Sequence, residues 1–159
     1  MSRSDSILQQ LLAERLIGPL DRHFARFLLQ ATESENEGLA LAAALTSAAR
    51  REGHVCLDLT AIAGTPLLGD TPSTTQLPSL DSWRESLLSS QAVGRAGDGQ
   101  PLILDRSDRL YLSRYWHYEQ QIGQSLLRRA GQSVDEVDEQ ALAQGLTELF
   151  EPAPGTDQV

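Results

Sequence analysis

Three histidines, His23, His54 and His117, and one cysteine, Cys56, are the chain's obvious chemistry-bearing side chains. His54-x-Cys56 is their one close pairing, and alternation along an extended segment would point both to one face. A structural zinc site, however, needs four ligands at recognised spacings, and there is no second pair. A cysteine nucleophile needs an electropositive setting that stabilises its thiolate, whereas Cys56 sits in an apolar run two residues before Asp58. No G-x-S-x-G elbow is present. All 13 basic residues are arginine, so the Walker-type P-loop, Schiff-base chemistry and every lysine base are excluded. The sequence therefore assigns no catalytic, cofactor-binding or metal-ligating residue.

What remains is recognition chemistry. Tyr111, Tyr115, Trp116 and Tyr118 lie close together, interleaved with Arg109 and Arg114. Arginine and aromatic side chains are the usual anchors of protein interfaces. Arg95, Arg109, Tyr111, Arg114 and Trp116 are accordingly the candidate partner-interface residues. Core packing competes for the same aromatics, and Trp116 is expected to close the gap between a hairpin and the helix that follows it. A second reading gathers Arg95, Arg106, Arg109 and Arg114 into a DNA-facing patch.

Charge weighs against that second reading. The net charge is −9, and residues 132–159 hold seven carboxylates and no arginine. Phosphate neutralisation needs concentrated positive charge, so this balance makes a poor free-standing nucleic-acid binder. At 159 residues and 40 % apolar composition the chain is long enough for one core. No run approaches the ~18 apolar residues of a membrane span. The opening lacks a signal-peptide core and the lone cysteine offers no internal disulfide, so a cytoplasmic setting is expected.

The positioning elements follow from periodicity. Ile7, Leu8, Leu11, Leu12 and Leu16 recur at helical spacing before Gly18-Pro19, and Phe24, Phe27, Leu28 and Ala31 predict the face of a second helix. Residues 39–51, rich in alanine and leucine, predict a third. Residues 54–59 alternate like a half-buried strand, and residues 64–80, with Pro66, Pro72 and Pro78, read as an irregular loop. Ser82-x-x-Glu85 is a capping-box pattern for a helix carrying Trp83, and residues 94–99 read as a link. Residues 101–105 and 109–113 predict a hairpin closed by Arg106-Ser-Asp108. A helix carrying Tyr115, Tyr118, Ile122 and Leu126 ends near Gly131, and a last one spans about 138–150 with acids at its positive end. The expected class is α+β, mainly helical, with helices around a small three-stranded sheet that contains the hairpin, a winged-helix-like core. Residues 1–150 form the expected domain and 151–159 the start of a linker.

Gly53-His-Val-Cys-Leu-Asp-Leu59, Trp83 followed by Leu87-Leu-Ser-Ser-Gln-Ala-Val-Gly94, and Pro101-Leu-Ile-Leu-Asp105 followed by Arg109-Leu-Tyr-Leu-Ser-Arg-Tyr-Trp-His-Tyr-Glu119 form a pattern. It resembles the N-terminal domain of exodeoxyribonuclease V alpha subunits, the RecD helicases of bacterial RecBCD complexes. Pro19-Leu-Asp-Arg-His-Phe24 and the closing Leu142, Leu149 and Phe150 fit as well. The resemblance implies a domain that packs on a RecC-like subunit, reaches a RecB-like subunit through the complex, and meets DNA only within that assembly. It implies two RecA-like motors further along, which bind ATP and magnesium and run 5′→3′ on single-stranded DNA. Those motor residues map onto nothing here, so this stretch is expected to be non-enzymatic and cofactor-free. The alternatives are a stand-alone winged-helix DNA-binding module and a small hydrolase.

Overall fold

The computed structural model describes residues 2–67, 76–132 and 138–150. The described chain falls into two units, residues 1–121 and 122–159.

In the first unit, three helices make the frame: α1 (Arg3–Ala13), α2 (Pro19–Ala31) and α3 (Glu37–Arg51). Helix α3 is the centre. Asn36 caps it by accepting from the Leu39 amide at 3.0 Å, and Gly38 through Ala44 are buried without interruption. A run of alanines has little side-chain entropy to lose and lets neighbours approach from every side. Helices α1, α2 and, later in the chain, α5 (Leu80–Leu88) all pack on it.

Helix α2 buries only part of the expected face: Leu28 is in the core and Phe24 packs against it, but Phe27 and Ala31 turn outward. Ala25, Leu28, Leu29 and Asp21 point inward, while Phe27 is 63 % exposed. The cause lies at the helix start. Pro19 occupies the first turn, and the buried Asp21 carboxylate accepts from the Gly18 amide (2.7 Å) and the Ser47 hydroxyl (2.6 Å). Once position 21 faces inward, positions 25 and 28 follow on the same stripe.

The sheet has four strands, not three: β1 (Leu57–Asp58), β2 (Val93–Gly94), β3 (Leu102–Leu104) and β4 (Arg109–Leu112), in the order β1-β4-β3-β2. The hairpin β3–β4 pairs Leu102 with Leu112, Ile103 with Tyr111 and Leu104 with Leu110, as the alternation requires. Its three-residue turn ends on Asp108 at φ 57°, the left-handed region that asparagine and aspartate tolerate best. The expected strand over 54–59 contracts to two residues. Asp58 instead caps the short helix α4 (Leu59–Ile62) by accepting from the Thr60 amide. Strand β2, ending on the first residue of the stretch read as a link, runs parallel to β3. Gly94 is required there: a Cβ would meet the Gln100 side chain at 2.7 Å. Helix α5 begins at Leu80 behind Ser79, not at the Ser82 capping pattern.

Trp83, not Trp116, is the tryptophan of the core. It is wholly buried, and its indole N–H donates to the Gly38 carbonyl at 2.9 Å. Trp116 is half-buried at the start of α6 (Ser113–Ala130).

In the second unit, the end of α6 and α7 (Glu139–Leu149) are amphipathic, with Ile122, Leu126, Leu142 and Leu146 exposed. Asp138 caps α7 by accepting from the Gln140 and Ala141 amides. The expected linker over 151–159 lies outside the described residues.

Candidate functional site

The first unit carries an open groove of about 720 Å³ between α5, the β2–β3 loop, the hairpin tip and the first turns of α6. Three guanidiniums line it, those of Arg84, Arg95 and Arg106, with Trp116 and Leu88 as apolar walls.

The guanidiniums differ in what holds them. Arg84 is committed: Nε and Nη2 grip both carboxylate oxygens of Asp108 at 2.6 Å each, and Nη1 reaches Asp81 at 2.8 Å. This fork ties α5 to the hairpin turn. It holds the Asp108 carboxyl below its ordinary range and raises the Arg84 pKa further. Arg95 and Arg106 make no side-chain ion pair among the described residues. Both rise from pinned backbone. The Arg95 amide donates to the Asp98 carboxylate at 2.7 Å. Around Arg106, the Asp105 carboxylate accepts from the Ser107 and Arg109 amides at 2.8 and 2.9 Å.

The candidate interface residues separate accordingly. Arg95 and Trp116 come together at the groove. Arg109 is exposed at the start of β4, outside the groove lining. Arg114 is exposed on α6, where its Nε donates to the Tyr118 hydroxyl at 2.8 Å. Tyr111 is only 4 % exposed, so its ring packs within the fold instead of presenting a surface. Burial pushes its phenol up to about 12. Tyr115 is taken up by Arg50, whose guanidinium stacks 4.2 Å from the ring centre. The sequence named Arg106 only within the DNA-facing patch, and it singled out neither Arg84 nor Leu88. Their relation rests on long-range packing of α5 against the hairpin, and a charge-balanced turn sequence carries no local sign of it.

Cys56 is half-buried, and desolvation raises its thiol pKa, partly offset by Tyr111 and Arg109 nearby. No cluster of three or more potential metal ligands occurs among the described residues. No described helix is long and apolar enough to cross a membrane.

Fold and groove together define a small, mainly helical α+β domain whose groove offers charged and aromatic side chains. A family model described as the N-terminal domain of RecBCD enzyme subunit RecD matches residues 13–111, and the chain belongs to that family. The RecBCD enzyme subunit RecD of Mycolicibacterium smegmatis is 35 % identical over 159 residues, covering 89 % of this chain and 27 % of that protein. The subunit of the same name from Mycobacterium tuberculosis is 33 % identical over 108 residues, covering 67 % of this chain and 17 % of that protein. The chain thus spans well under a third of the length of these curated relatives.

Proposed function

We propose that this chain is the subunit-docking domain of a RecD-type helicase subunit, holding that subunit against a RecC-like partner and, through it, a RecB-like one. The whole assembly would be an ATP-dependent helicase–nuclease of the cytoplasm that processes double-strand breaks for recombinational repair. ATP, magnesium and 5′→3′ movement would belong to motor domains outside this stretch, and this stretch would be neither an enzyme nor a cofactor site.

The observation that carries the reading is the groove, with two uncommitted arginines around a half-buried tryptophan on an otherwise acidic chain. Arginine and tryptophan are the residue types that concentrate binding energy at protein interfaces. The winged-helix alternative asks α5 to read DNA, yet its one arginine, Arg84, is neutralised by Asp108 and Asp81.

Co-expression with a RecC-like subunit tests the proposal. The chain should co-elute with that subunit in size-exclusion chromatography, while calorimetry shows no ATP uptake. Separate elution would overturn the docking role, and sub-millimolar ATP binding would overturn the non-enzymatic one.

A further inference from the structure

Strand β2 runs parallel to β3, so both strands end at the same edge of the sheet. Arg95 follows β2 directly and Arg106 lies two residues beyond β3. An antiparallel β2 would have sent them to opposite edges. The parallel pairing therefore brings two uncommitted guanidiniums to one groove, each on a backbone pinned by an aspartate. The other charges of the groove are already used. Arg84 and Asp108 neutralise each other, and one oxygen of Asp105 serves the turn amides. Apolar surface remains available at Trp116, half-buried, and at Leu88, 40 % exposed.

Resting on the docking role, we propose that the groove takes an acidic segment of the partner protein. Its carboxylates pair with Arg95 and Arg106, and an apolar or aromatic side chain between them lies on Trp116 and Leu88. Arginine suits this task because its planar fork matches a carboxylate in two-point geometry. Single-stranded nucleic acid fits less well. Two free cations release about two counterions, too few to hold a continuous phosphate backbone.

The test uses fluorescence anisotropy with a labelled peptide of alternating glutamate and aspartate around one leucine and one phenylalanine. A version with every acid replaced by lysine and a short oligothymidine serve as comparison probes. The acidic peptide should bind more tightly than either, more weakly as salt rises. The double variant Arg95→Glu/Arg106→Glu should lose about tenfold or more in affinity. Trp116→Ala should weaken binding too, whereas Arg128→Glu on the far part of α6 should not. Thermal melts of each variant confirm that the fold is kept. Equal binding of the acidic and lysine peptides overturns the proposal, as does an unaffected double variant. Tighter arginine-dependent binding of oligothymidine makes the groove a nucleic-acid site, and arginine-dependent self-association in the ultracentrifuge makes it a contact between copies; both overturn the proposal. In the co-elution assay, a double variant that still joins the RecC-like subunit overturns this inference and leaves the docking role standing. Wild type that fails to join overturns the docking role itself, whatever the peptide does.

Discussion

The Arg84 guanidinium and the Asp108 carboxylate meet in two parallel hydrogen bonds of 2.6 Å, clamping the helix before the hairpin to the hairpin's own turn. Asp108 holds a left-handed backbone (φ 57°), and the clamp helps to keep it there. One side of the groove is built on this pair, so its loss acts on groove geometry as well as on stability.

The clamp has a pH signature. Arg84 lowers the folded-state pKa of Asp108, so its stabilisation is fully present above the unfolded carboxyl value, about 3.9. It is lost as pH falls from there through the lowered folded value. Asp108→Asn should therefore lower the melting temperature at neutral pH, by a deficit that shrinks progressively as pH falls below about 3.9. Thermal unfolding of wild type and variant across that range measures this, and an equal deficit throughout would contradict it.

The two tryptophans should respond very differently. Trp83 is wholly buried and hydrogen-bonded, so Trp83→Ala should cost about 3–5 kcal/mol. Trp83→Phe, which loses the indole N–H bond and leaves a small cavity while the Gly38 carbonyl keeps its place in the α3 ladder, should cost about 1–3 kcal/mol. Trp116→Ala should cost less, under about 1.5 kcal/mol, since its side chain is only partly buried and lines the open groove. Urea denaturation of the three variants gives the ranking directly.

Asp21→Ala should destabilise the helical frame by about 1–3 kcal/mol, because it leaves the Gly18 amide and the Ser47 hydroxyl without their acceptor. Arg51→Ala should matter far less. Its contact with Asp21 is longer, 3.4 Å, and its side chain is 53 % exposed. Chemical denaturation should place Asp21→Ala well below Arg51→Ala.

Cys56 should react slowly with thiol reagents in the native state, because burial raises its pKa and depletes the thiolate near neutral pH. The labelling rate should climb to the free-thiol rate on unfolding in urea. Native labelling as fast as that of free cysteine would show a more accessible thiol.

Much of this is written in the local sequence. The absence of lysine closed off P-loop chemistry at once. The alanine–leucine run of α3, the hairpin register and the extents of α6 and α7 all follow from patterns a few residues long. Such patterns report what each segment buries against its neighbours, and they do so well where the segment spans several periods. A two-residue strand has no period, so β2 and its parallel pairing left no trace in the sequence. The inward face of α2 was set by one buried aspartate against a serine 26 residues away, which keeps Leu28 and Phe24 on the core side and turns Phe27 out. The choice of core tryptophan came from a bond between Trp83 and Gly38, 45 residues apart. The convergence of Arg95 and Arg106 on one groove depends in the same way on which strand ends lie together. Local sequence determines which faces an element can offer; only the packing of distant elements decides which faces are buried and which charges are left free to meet a partner.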